Sequence, residues 1–261
     1  MADNTNTVNP ANSAIYFAML TIVFSVVNIF MINSANTLEA IEDNKNNIVY
    51  TLIYMGLVLS GTYFINLKIS SALCPDDGIQ HYNVFFATVL PWLIIFVILY
   101  FLLELFPGWV APFSNTIGYL VVKILGVETF LENVLNKESK DESITNAIDK
   151  IKSHKAKIIN EFDDDRNNFE NFFEKFKDEK LTNENIEEDI KTSEDIIQLF
   201  KLINIKFIVG KMVWYILAGT IVASISYNYI VNMSCQKTVE DIQNDIDELQ
   251  EENEEDDEGS G

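Results

Sequence analysis

Four long uncharged stretches divide this chain. Ala14–Ile32, Ile48–Leu67, Val84–Leu103 and Met212–Met233 contain no Asp, Glu, Lys or Arg, while Lys68, Glu104, Lys211 and Lys237 stand at or near their edges. A stretch of about 20 apolar residues is the length a helix needs to cross roughly 30 Å of hydrocarbon. The pattern has no polar face at helical spacing, which a soluble helix of this length would carry. It predicts four transmembrane helices, at 14–32, 48–67, 84–106 and 207–233, behind a polar N-terminus at 1–13. Tyr and Trp near the run ends (Tyr16, Tyr50, Tyr82, Trp109, Trp214, Tyr229) match an interfacial belt. The first run is expected to be a retained anchor, because its leader carries no Lys or Arg.

A fifth apolar stretch, Thr116–Val127, is only twelve residues long and contains Lys123. Pro107, Gly108, Pro112 and Asn115 break the chain just ahead of it. Residues 107–127 are therefore expected to be a turn followed by an interfacial or re-entrant helix, with a fifth crossing as the alternative.

Residues 128–206 form a charged helical region. Ile144, Ile148, Ile151, Ile158, Phe162, Phe169, Phe172 and Phe176 recur at heptad-like steps, with Lys155 and Asp165 in the two missing positions and a candidate bend at Asp163–Arg166. Ile158, Phe162, Phe169, Phe172 and Phe176 are candidate partner-binding or self-associating positions; a hairpin packed on its own neighbours explains the period equally well. Further on, Thr192 or Ser193 is a helix cap followed by acids, and one helix is expected to run from there into the last span. Ile196, Leu199, Phe200, Ile203 and Phe207 make its juxtamembrane part amphipathic. Residues 234–250 carry a short heptad pattern (Val239, Ile242, Ile246, Leu249), and 251–261 form an acidic tail. Twelve acids between Glu240 and Glu258 supply more than half of the net charge of −21. Such a run solvates itself and disfavours nucleic acid as a partner.

With four spans, the N-terminus, the 68–83 loop and the tail share one side, and the 33–47 loop and the central region share the other. Residues 128–206 hold thirteen of the eighteen Lys and Arg, a bias that places them on the cytoplasmic side. Cys74 and Cys235 then fall on the opposite side at similar depth, either bridged or as two thiols. Gly56, Ser60 and Gly61 in the second span, and Gly219, Ala223 and Ser226 in the fourth, are candidate helix-packing positions.

No catalytic constellation is present. His81 and His154 are the only histidines, and no phosphate loop, zinc spacing or nucleophile elbow occurs. No enzyme activity, cofactor or metal is expected. Transport is the rival class, with Glu104 at the end of span three as its candidate ionisable residue, beside Asn28, Asn228 and Pro91.

Pro107, Gly108, Trp109, Pro112, Phe113, Ser114, Asn115, Thr116, Gly118 and Tyr119 carry a resemblance. An apolar span ending in Pro-Gly-Trp, then Pro-Phe-Ser-Asn-Thr and Gly-Tyr, resembles a segment of membrane proteins from large icosahedral DNA viruses of eukaryotes. The resemblance covers less than a tenth of the chain. It implies a structural protein of the virion's inner lipid layer, derived from host endoplasmic reticulum, with capsid or internal virion proteins as partners. It brings no catalytic residues.

Overall fold

The computed structural model describes residues 11–45, 47–74, 81–135, 140–183 and 191–233. The N-terminal residues 1–10, the heptad pattern at 234–250, the acidic tail and Cys235 lie outside the described residues. Apart from one isolated antiparallel bridge between Leu135 and Thr182, all regular structure among the described residues is helical.

Four helices are long and apolar enough to cross a bilayer: α1 (Ala11–Ser34), α3 (Ile48–Leu73), α4 (His81–Leu105) and α11 (Glu194–Val231). The helices α1 and α3 contain their expected spans and extend past them, α3 by six residues beyond Leu67. By contrast α4 ends at Leu105, one residue short of its span, and α11 ends at Val231, two short; α4 runs unbroken through Pro91. Their outer faces carry large exposed apolar side chains, among them Met19, Leu52, Phe64, Ile98 and Ile221. Exposure on that scale is untenable in water and ordinary in lipid.

Inside the bundle, neighbours run antiparallel. Tyr54 of α3 hydrogen-bonds Thr21 of α1 at 2.8 Å, and Tyr50 donates to the Phe24 carbonyl. Asn66 donates to Thr88 of α4 at 2.9 Å, a polar link between these two spans. Phe17, Trp92 and Phe96 fill the centre, with Phe17 and Trp92 centroids 4.7 Å apart.

The remaining elements gather at one end of the bundle. They are α2 (Leu38–Lys45), a 3-10 turn (Pro107–Trp109), α5 (Ala111–Phe113), a π turn (Ser114–Gly118), α6 (Tyr119–Ile124), α7 (Val127–Val134), α8 (Glu142–Ser153), α9 (Lys155–Glu161) and α10 (Arg166–Asp178). Gly126, at φ +90°, ends α6 and turns the chain into α7; a left-handed residue at a helix end is what glycine allows without strain. The helix α2 meets α10 here through Arg166 and Glu42, 3.1 Å apart, so the 33–47 loop and the central region do share one side.

One expectation is corrected. The heptad-like period over 144–176 does not make one helix: the chain breaks at His154, and again at Phe162–Asp165, where the candidate bend at Asp163–Arg166 was expected. Asp165 caps α10 by accepting the Asn168 amide at 2.9 Å, which starts a new helix where a continuous one would have placed a seam position. Residues 116–127 lie outside the four helices long enough to cross; the π turn runs on without interruption into the short helix α6. The segment doubles back along α11, with Ser114 beside Gly210 and Gly118 beside Lys206. Their outward side is still apolar: Ile117, Leu120 and Ile124 are exposed at three- and four-residue steps.

Candidate functional site

The helix α11 is the axis of the molecule. It runs 38 residues without a break, about 57 Å at 1.5 Å per residue, with Ser193 at its N-cap position and Glu194 and Asp195 in its first turn. Its first half, residues 194–210, is a stem enclosed by the other elements of that end. From Leu199 to Gly210 every residue is buried, Lys201, Asn204 and Lys206 included. The expected amphipathic stem is thus corrected to one covered on every side over residues 199–210, its polar Lys201, Asn204 and Lys206 buried with the apolar side chains.

The cover explains the chain's local sequence. Two glycines permit the closest approaches: a Cβ on Gly210 would stand 2.8 Å from the Ser114 amide nitrogen, and one on Gly118 would overlap the Lys206 carbonyl. Beyond them Val122, Val127, Leu131 and Val134 cover the stem further from the bundle, and Asn133 reaches Asp195 at 3.3 Å. On another side Phe162, Phe169, Phe173 and Phe200 form an aromatic cluster, with Phe169 and Phe200 centroids 4.7 Å apart.

Lys206 is the hub of this arrangement. Its ammonium donates to Asn115 Oδ1 at 3.1 Å and to the Ile159 and Phe162 carbonyls at 3.0 and 3.4 Å. Those three acceptors come from the π turn, α9 and the break before α10, so one cation ties three segments to the stem. Burial lowers its pKa to about 8, opposed by Asp164 and Asp163. Lys201 donates to the Asn33 carbonyl at the end of α1, 2.9 Å away. A buried charge that meets its acceptors in fixed geometry specifies one arrangement, since any other leaves it unpaired.

Ion pairs rim the cap. Lys45 lies 3.5 Å from Asp164, and Lys191 and Arg166 both reach Glu170. Glu128 accepts from Tyr119 at 2.6 Å and faces Lys123 and Lys155, which together hold its carboxyl below the usual range. Among the described residues no group of three His, Cys, Asp or Glu converges as a metal site would need. His154 marks the break between α8 and α9, and His81 contacts the Tyr63 hydroxyl at 3.0 Å.

No known family is matched. No family model fits the chain, and no curated protein or solved structure resembles it significantly.

The candidate positions separate as follows. Phe162 and Phe169 are buried in the cap core, and Ile158, Phe172 and Phe176 pack against it half-buried, so the described contacts of all five are with this chain itself. Ile159 and Phe173, both fully buried, were missed because a period drawn straight through the breaks assigns them to an outer face. Gly219, Ala223 and Ser226 do form a packing seam: all three are buried or tightly approached, with Phe17 of α1 seated on Gly219. Gly56 and Ser60 do not pack. Gly56 has open space beside it, and the exposed Ser60 hydroxyl bonds back to the Gly56 carbonyl at 2.7 Å; it is Gly61 that receives a neighbour, Tyr16. Cys74 is buried at the end of α3. Glu104 is paired with Lys211 at 2.8 Å where α4 ends.

Proposed function

We propose that the chain is a structural membrane protein that holds a protein layer against a lipid bilayer. The observation that carries this reading is the single rigid helix α11, which is both a span and the core of the cap. An anchor must transmit position from lipid to protein without a hinge, and a helix clamped at both ends does so. The resemblance of residues 107–119 to membrane proteins of large icosahedral DNA viruses makes the virion's inner lipid layer the proposed location, with host endoplasmic reticulum as its source. Capsid or internal virion proteins are the proposed partners, with the cap on the cytoplasmic side during assembly. A Cys74–Cys235 bridge on the far side belongs to the same proposal. Loss of a mobility shift on non-reducing gels in Cys74→Ser is its expected signature, and an unshifted parent chain would remove it.

Purified virions test the main reading. The chain is expected to stay with particles through alkaline washing and to leave with mild detergent. Its absence from washed particles would end the proposal. The Glu104–Lys211 pair at the end of the third span favours a channel-like alternative. Ion flux through reconstituted liposomes that Glu104→Gln abolishes would put that class in its place.

A further inference from the structure

Where α1, α3, α4 and α11 meet near the cap, they leave a cavity of about 810 Å³. Native interiors close such space, and volumes of roughly 300–1,000 Å³ are those of ligand sites. Its two ends differ in chemistry. The end toward the cap is lined by two ion pairs, Lys45 with Asp164 and Lys211 with Glu104, which a zwitterionic head group can enter by meeting a charge of each pair. Toward the middle of the spans the lining is Phe24, Met55, Leu59, Leu93 and Phe96. Leu52 of α3 and Phe101 of α4 line it and are also exposed on the outer surface, so it opens sideways, where acyl chains would lie.

Two polar atoms in the lining stand unsatisfied. The side-chain oxygens of Asn28 and Asn204 are buried with no hydrogen-bond partner among the described residues. Asn204 is 1% exposed, and its amide nitrogen is already committed to the Phe200 carbonyl at 2.9 Å, which leaves the oxygen as the free group. A buried acceptor without a donor is costly, so the site calls for a guest that brings N–H or O–H groups.

We infer that this cavity binds one membrane phospholipid with an ethanolamine head group. One acyl chain lies in the apolar slot between α1, α3 and α4. The phosphate faces Lys45 and Lys211, and the primary ammonium faces Glu104, Asp164 and the two amide oxygens. A choline head carries the same charges but no N–H donor, and a glycerol head has hydroxyls but no cation. The charge balance of the mouth, two of each sign, suits a zwitterion better than an anionic lipid. The site is independent of which protein layer the cap holds.

Native mass spectrometry of the full chain in mild detergent, with phosphatidylethanolamine, phosphatidylcholine and phosphatidylglycerol supplied equally, tests this. One ethanolamine lipid per chain is expected, favoured over the choline lipid by roughly tenfold, the scale of a lost hydrogen bond to a charged group. Gly56 lines the cavity and a Cβ placed there meets nothing within 4 Å, so Gly56→Trp starts its side chain in open space beside the slot. It should cut occupancy about tenfold while leaving the lipid-free melting temperature in place. The double variant Asn28→Leu, Asn204→Leu should narrow the preference for ethanolamine over choline, with the Glu104 and Asp164 carboxylates left as the remaining acceptors; an unchanged preference would overturn the role of the two amides. Equal retention of all three lipids by the parent chain, or unchanged occupancy in Gly56→Trp, would overturn the assignment.

Discussion

The two halves of α11 share a helix, a hydropathy and a direction, yet they are buried by different means. Residues 194–210 are enclosed by protein and tolerate two buried lysines, because carbonyls and one amide oxygen are aimed at them. Residues 211–231 have one side on α1 and α4 and the other open, with Leu217, Ile221 and Ile225 exposed. In the stem, water is excluded by a jigsaw of aromatic and branched side chains. In the span it is excluded by lipid, and close backbone approach at Gly219 supplies the packing. The stem should therefore be sensitive to cavities and unpaired polar groups, and the span to added bulk.

The largest test is Phe173→Ala. Phe173 is fully buried in the aromatic cluster, and its loss should cost the cap about 4 kcal/mol. Limited proteolysis should open residues 140–183 while the spans stay membrane-inserted; resistance equal to the parent chain would deny the cluster its role. Next, Lys206→Met removes the donor of three buried acceptors and should destabilise the cap by about 3 kcal/mol. The same residue gives a pH signature. Its folded pKa of about 8 lies below the value of about 10.5 for a free lysine. The unfolded chain thus binds more protons between those values, so Lys206 makes the cap gain stability as pH rises from 8 toward 10.5. Thermal midpoints of parent and Lys206→Met across that window should differ in slope; parallel curves would show that burial does not hold the amine.

Gly219→Leu acts on the other half. The new side chain must displace Phe17, at about 2 kcal/mol, and should loosen α1 from the bundle while the cap keeps its protease resistance. Cysteine cross-links between α1 and α11 would report the separation, and full cross-linking would contradict it. The smallest effect belongs to Lys157→Ala, whose partner Glu161 is 4.0 Å away on an exposed surface of α9. A change above about 0.5 kcal/mol there would mean the pair matters more than exposed ion pairs do.

Much of this was legible from the pattern of charge. The four spans follow from runs without an ionisable group, and the side shared by α2 and the central region follows from their even number. The unbroken α11 was legible too, because an N-cap residue is followed by 38 residues without proline and with only Gly210 and Gly219 in its interior. The cap was not. A period of three and four fits any helix face; the acidic run at Asp163–Arg166 marked the bend before α10, but nothing marked the break at His154. Lys206 looked like one more juxtamembrane lysine, since the sequence holds no sign that Ile159 and Phe162 would turn their carbonyls toward it. The small residues in α3 misled for a related reason: spacing shows that a backbone can be approached, not that a neighbour comes.

The position of the stem in the chain has a consequence for biogenesis. The cap elements from α5 to α10 leave the ribosome before residues 194–210, around which they close. At roughly 5–20 residues per second, α7 waits on the order of three to fifteen seconds for the helix that completes its core. Through that interval Val127 and Leu131 lack the stem that covers them, and they are candidates for chaperone protection. Folding of the cap and delivery of the last span to the translocon then become a single late event.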